Sequence, residues 1–306
     1  MTTTTPAYIG RFAPSPSGPL HFGSLVAALG SVLDARHYQG RWLLRIEDVD
    51  TPRTVPGATD SILATLDRFG FEWDGDILWQ CQRTGAYAAA LEQLKTGGHV
   101  FPCACSRREM AEVPDSTLAR DGSRRYPGTC RNGLPPGRAP RAWRVKAEGV
   151  IRFEDAIQGR QEEDLARDVG DYVILRADGL FAYQLAVVVD DAAQGVTHVV
   201  RGADLLGSTA RQIQLQKLLR LPVPAYAHLP VATNAAGEKL SKQTLARAVD
   251  EIAPARALVA ALGFLGQHPP TELTHASLAE VWDWAHAHWR LERVPRHMQR
   301  IAPAAD

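Results

Sequence analysis

An α/β fold with a doubly wound parallel sheet is what the first quarter of the 306-residue chain predicts, on three observations. The apolar run Tyr8-Ile9-Gly10 reads as a short buried strand. It passes through a Pro/Gly/Ser turn into apolar residues at Leu25, Leu29, Val32 and Leu33, the spacing of a helix. A second strand candidate, Trp42 to Ile46, is followed by a helix opened by Pro56, carrying Ile62, Leu66 and Phe69 and closed by Gly70. Strand, helix, strand, helix in that order is the doubly wound pattern. No G-x-G-x-x-G is present, which argues against a dinucleotide site of the NAD type.

Composition narrows the class. Hydrophobic residues make up 45% and charged residues 22%, enough for a sizeable core, and the formal net charge is zero. Zero net charge argues against nucleic-acid binding by bulk charge but leaves room for a local patch. No apolar run reaches membrane-spanning length, and Met1 to Pro6 lacks the pattern of a signal peptide, so the expectation is a cytoplasmic protein with no membrane partner. Four cysteines in such a chain do not make a secreted disulfide framework.

Taken in order, the turn between first strand and helix is R-F-A-P-S-P-S-G-P-L-H-F-G-S, Arg11 to Ser24. A strand end, a small-residue turn and a helix start bring backbone N–H groups and the positive end of a helix to one place, suited to phosphate. His21 offers a donor to developing charge there, and Gly23 allows close backbone approach. Parallel sheets bind ligands at the carboxyl ends of their strands. Arg11 and Glu47 both sit at such ends, and a carboxylate like Glu47 suits a ligand ammonium. Cys81, remote from the other cysteines, reads as a small buried thiol ahead of a helix over about Gly85 to Lys95.

An insertion of different character runs from about Val100. Cys103, Cys105 and Cys130 suggest Zn²⁺, which prefers four tetrahedral N/S ligands; the fourth is Tyr126 or His99, and three free thiols are the alternative. Between Arg107 and Lys146 there are ten Arg/Lys against four Asp/Glu, a candidate phosphate-contact surface, with Pro114 to Ser123 read as loop. Trp143 to Lys146 and Ile151 to Phe153 alternate like strands. Asp171 to Arg176 and Leu180 to Leu185 read as a hairpin about an Asp-Gly turn that returns the chain to the main sheet. Thr197 to Val200 reads as a strand ending in Arg201, and Ser208 as the cap of a helix to about Leu219. After the Asn234 to Gly237 turn comes Lys239-Leu240-Ser241-Lys242-Gln243. Beyond it, Pro254 opens one helix, and Leu278, Val281, Trp282, Ala285 and Trp289 mark another as core packing.

H-F-G-S and K-L-S-K, far apart in the chain, together resemble the HIGH and KMSKS signatures of class I aminoacyl-tRNA synthetases, and R-F-A-P-S-P-S-G-P-L-H is similar to the glutamyl branch. The resemblance covers residues 6 to 243. It implies a Rossmann-like catalytic domain with a small zinc-binding, acceptor-arm-like insertion and a short helical C-terminal tail. The implied division is 6–99 and 171–243 for the two catalytic halves, 100–170 for the insertion, and 244–306 for the tail, with no anticodon-binding domain. It further implies that Arg11, Ser15, Glu47, Tyr183 and Arg201 hold L-glutamate, and that His21, Gly23, Lys239, Ser241 and Lys242 bind ATP with Mg²⁺. His21 and Lys242 would be the catalytic pair. Two guanidinium groups and a phenol suit a dicarboxylic ligand, since arginine grips carboxylate bidentately. The set Cys103, Cys105, Tyr126, Cys130 resembles the zinc site of the glutamyl-queuosine branch, with a longer Cys105–Tyr126 interval. That branch implies queuosine-bearing tRNA(Asp) as acceptor; for the chain itself a monomer is the expectation. Ser24 and Gln243 depart from the two signatures.

Overall fold

The computed structural model describes residues 7–112, 118, 124–240 and 248–303. Pro114 to Ser123, apart from Leu118, and Ser241 to Gln243 therefore lie outside the described residues.

The chain begins β1 (Ile9–Phe12), α1 (Phe22–His37), β2 (Arg41–Ile46), α2 (Ala58–Arg68), β3 (Leu78–Trp79) and α3 (Thr84–Thr96). Strands β1, β2 and β3 are parallel neighbours, as the strand–helix alternation predicts. Next come β4 (Val100–Cys103), α4 (Arg107–Ala111), β5 (Ala142–Val145), β6 (Val150–Asp155), β7 (Gly159–Asp164) and β8 (Tyr172–Leu175). The second half follows as α5 (Tyr183–Ala193), β9 (His198–Gly202), α6 (Leu206–Leu219), β10 (Ala225–Leu229) and β11 (Val231–Thr233). The tail adds α7 (Pro254–Phe264), α8 (Leu278–His288) and β12 (Gln299–Ile301).

A second sheet has the order β7-β6-β10-β9, with β10 parallel to both β6 and β9. It meets the first where β9 runs beside β1, and Thr197 N–H donates to the Ile9 carbonyl at 2.9 Å. Successive side chains of β9 and β10 point to opposite faces. Val200, Ala227 and Leu229 join a core with α1, α2, α7 and α8, whereas Val199 and Tyr226 join one with α3, α5 and α6. Helices therefore cover both faces, the doubly wound arrangement.

Helix α1 fits this role because it is apolar nearly all round, and Leu25, Leu29, Val32 and Leu33 are each at most 3% exposed. Burying such a side chain stabilises by about 1.5–3 kcal/mol. Gly30 brings α1 against β10: a Cβ there would lie 2.7 Å from a Leu229 methyl. In the tail, Trp289 is buried as its spacing predicts, and its indole N–H donates to Asp34 at 3.2 Å.

Three readings need correction. Leu180 to Leu185 is not a strand. The Asp-Gly turn is real, with Gly179 at φ 83° and Leu175 bridging Phe181, but Tyr183 already opens α5, which continues through Val187–Val189. β-branched residues are accepted there because α5 packs between α3 and α6. Strand β8 pairs antiparallel with β5, in a sheet β4-β5-β8, rather than with the parallel sheet. Ser208 lies inside the first turn of α6, whose N-cap is Leu205; its hydroxyl accepts from Gln184 instead.

Candidate active site and cysteine cluster

The carboxyl ends of β1 and β2 and the last turn of α5 converge on one buried charge cluster, with the end of β9 and the start of α5 beside it. The Arg11 Nε donates to Asp191 at 3.2 Å, and Arg45, fully buried, pairs with the same carboxylate at 2.8 Å and with Glu47 at 3.4 Å. Burial raises Glu47 against the opposing pull of Arg45 and Arg11. Burial would raise Asp191 as well, but Arg11 and Arg45 outweigh it and hold that carboxyl below the usual range. Asp190 accepts from Gln80, Arg83 and the Tyr87 hydroxyl. A cavity of about 150 Å³ opens here, lined in part by Ser15, Glu47, Asp50, Gln80, Arg176 and Tyr183.

Arg201 stands at the cluster's edge, 5% exposed, its Nη1 donating to the Tyr183 hydroxyl at 3.4 Å and its Nη2 to Thr209 at 2.9 Å. Burial raises the Tyr183 phenol while Arg201 opposes it. Of the five residues expected at a glutamate site, Ser15, Glu47 and Tyr183 line this pocket; Arg201 is bonded to Tyr183, and Arg11 lies outside the lining, paired with Asp191. Sequence reading missed Arg45, Asp190 and Asp191. A buried Arg beside a strand-end Glu and an Asp-Asp pair were the available signals.

His21 is the N-cap of α1; its Nδ1 accepts the Ser24 N–H at 3.3 Å. The Ser24 hydroxyl lies 3.3 Å from Nε2, so the departure from the signature still meets the ring. A Cβ on Gly23 would sit 3.1 Å from the imidazole, which accounts for glycine there. Lys239 is ion-paired with Asp204 at 2.5 Å. The residues flanking 241–247 are anchored nearby: Leu240 N–H bonds to Ala232, and Ala248 bridges His21.

In the β4–β5 region the thiols of Cys103, Cys105 and Cys130 lie within 4.8 Å of one another, a group that could hold a metal ion. The Tyr126 hydroxyl is 3.4 Å from both Cys103 Sγ and Cys105 Sγ. His99 is not part of this group. Burial opposes ionisation of Cys103 and Cys105, but hydrogen bonding with Tyr126 and Arg144 brings Cys103 below its ordinary value. Three thiols this close, with the Tyr126 hydroxyl beside two of them, are a soft donor set of the kind that suits Zn²⁺. Cys81 is exposed, contrary to its reading as a buried thiol: the chain turns outward at Gln80–Arg83, where Asp48 accepts the Cys81 N–H. Of the arginines in the basic stretch, Arg138 pairs with Glu109 and Arg131 with Glu148 and Asp171. Arg108, Arg124, Arg141 and Arg144 line an open cleft beside the cysteines. No helix among the described residues is long and apolar enough to cross a membrane.

The family model for the catalytic domain of class I tRNA synthetases (E and Q) matches residues 9–269. A glutamyl-Q tRNA(Asp) synthetase of Aromatoleum aromaticum is 71% identical over 98% of this chain and 94% of its own length. One from Dechloromonas aromatica is 60% identical over 97% of this chain and 99% of its own. Among solved structures, a glutamate-tRNA synthetase from Elizabethkingia anophelis superposes with a TM-score of 0.79 at 25% identity, covering 95% of this chain and 67% of that one.

Proposed function

Since the chain belongs to the class I tRNA synthetases of the glutamate and glutamine branch, we propose that it activates L-glutamate with ATP and passes the glutamyl group to queuosine of tRNA(Asp). The observation that carries the amino-acid half is the single pocket shared by Glu47 and Tyr183, with Arg201 bonded to its rim and Arg11 behind it. Glu47 pairs with the ligand ammonium, while Arg11 and Arg201 take its two carboxylates and Ser15 its edge. The acceptor half is supported by the near full-length likeness to the two glutamyl-Q tRNA(Asp) synthetases.

In the first step a glutamate carboxylate oxygen attacks the α-phosphorus of ATP, and the bond to pyrophosphate breaks. The chain's work is positioning and charge stabilisation. Gly23 admits the phosphates, His21 and Lys242 stabilise the developing charge, and Lys239 and Ser241 hold the triphosphate, with Mg²⁺ accompanying ATP. In the second step an acceptor hydroxyl attacks the acyl carbon and AMP leaves. The cleft lined by Arg108, Arg124, Arg141 and Arg144 is suited to RNA phosphates.

Glutamate-dependent ATP–pyrophosphate exchange tests this reading. Exchange with glutamate alone, without tRNA, is the expected result. Exchange only with tRNA(Glu) added would transfer the assignment to 3′-end charging, and none under either condition would leave a binding module.

Cys103, Cys105, Tyr126 and Cys130 would hold one Zn²⁺, whose contribution is structural: it ties β4 to the Tyr126–Cys130 turn. Metal analysis should find about one zinc per chain, and Cys130→Ser should lower that content severalfold together with the melting temperature. A wild-type content well below one sinks this assignment. The units 6–99, 100–170, 171–243 and 244–306, the monomeric state and the cytoplasmic location complete the reading.

A further inference from the structure

We infer that Asp155 and His228 are positioning residues for Arg201, setting the imidazole tautomer that holds its guanidinium at the glutamate pocket. The inference rests on Arg201 being a carboxylate ligand, as proposed above. The three residues lie on adjacent strands β6, β10 and β9, and His228 and Arg201 are register partners. His228 and Asp155 are wholly or almost wholly buried.

The hydrogen-bond logic admits one arrangement. A guanidinium can only donate. Arg201 Nε lies 3.0 Å from His228 Nε2, so that nitrogen is the acceptor and the imidazole proton sits on Nδ1. Nδ1 is 2.6 Å from Asp155 Oδ2, to which it donates. The other carboxylate oxygen, Oδ1, accepts the backbone N–H groups of Ile157, Gln158 and His228 at 2.8–3.1 Å. Thr209 completes the brace: its hydroxyl accepts from Arg201 Nη2 and lies 3.3 Å from both the Leu205 carbonyl and His228 Nε2, each an acceptor for its proton. Arg201 is thereby held on two sides, with Nη1 left directed at Tyr183.

The chemistry predicts an asymmetry that a merely structural role would not produce. In Asp155→Asn the three backbone donors retain the amide oxygen at the Oδ1 position, so the amide NH₂ faces Nδ1. The imidazole proton is then driven to Nε2, where it meets the Nε–H of Arg201 donor against donor. In His228→Asn the shorter side chain keeps a partner for Asp155 but gives Arg201 none. In His228→Gln the amide oxygen reaches the place of Nε2 and accepts from Arg201.

Exchange kinetics test this, with Arg201→Lys as the reference and melting temperature and KM for ATP as folding controls. Asp155→Asn and His228→Asn should raise KM for glutamate about ten- to hundredfold, the loss of one hydrogen bond to a charged group. KM for ATP and kcat should stay within about threefold, and His228→Gln should retain most of the glutamate affinity. If Asp155→Asn fails to fold, the Asn against Gln contrast at position 228 decides. Equal behaviour of those two variants, or an unchanged KM in them while Arg201→Lys raises it, would overturn the inference. An unchanged KM in Arg201→Lys itself would instead remove the reading of Arg201 on which the inference rests.

Discussion

Asp191→Ala should destabilise the protein by about 3–5 kcal/mol, the cost of removing one partner from a buried ion cluster. Asp191 accepts from Arg11 and Arg45, and the side chains of the three are at most 7% exposed. Without it two guanidinium groups stay buried with Glu47 and, for Arg45, the neighbouring Asp190 to oppose them, so the wild-type cost of desolvation remains and most of the compensation is lost. Arg11 should also lose its aim, and glutamate affinity should fall with stability. The pH dependence follows from the sign of the shift. Asp191 is held below its ordinary value because Arg11 and Arg45 outweigh burial. Its stabilisation is therefore complete above the unfolded value, about 3.9, and is lost as pH falls through the folded value. Denaturant unfolding at neutral pH and at about pH 3 measures both effects. A variant within 1 kcal/mol of wild type at neutral pH would mean that Arg45 finds its counter-charge elsewhere.

His21→Ala should lower kcat for glutamate-dependent exchange by about 10²–10³, the usual cost of deleting one donor to a developing oxyanion. KM for glutamate should move little, because His21 is not among the residues lining that pocket. The side chain also caps α1, so alanine should cost roughly 1 kcal/mol of stability besides. His21→Asn separates the two roles: its amide oxygen still caps the helix, but it lacks the reach of the imidazole. Both variants should be slow and only the alanine variant should melt early. Full exchange activity in His21→Asn would assign His21 to capping alone.

What was legible in the sequence is what local chemistry dictates. The 3.6-residue spacing of Leu25, Leu29, Val32 and Leu33 foretells α1, and the charges at Arg11 and Glu47 mark strand ends where a parallel sheet opens to ligands. The three cysteines converge as their number suggests. What was not legible depends on partners distant in the chain. Arg45 alternates into a strand and looks solvent-facing until Asp191, contributed by α5, arrives to neutralise it. His228 reads as an ordinary strand residue, and only the neighbouring strands supply Asp155 and Arg201. Val187–Val189 favours a strand locally, and the packing of α5 on α3 and α6 overrides that preference.

The junction of β1 with β9 has a consequence for how the molecule is made. Ile9 and Thr197 are 188 residues apart, so joining the two halves of the sheet closes a very long loop. Chain-entropy scaling puts that closure at about 4–5 kcal/mol beyond a constant, lost before any contact across the junction repays it. Such topology gives high contact order and slow folding. The antiparallel pairing of β4 with β5, only tens of residues apart, forms inside that loop and shortens it. The folding order that topology favours is thus the cysteine-bearing hairpin first and the glutamate pocket, which needs residues from both sides of the junction, last.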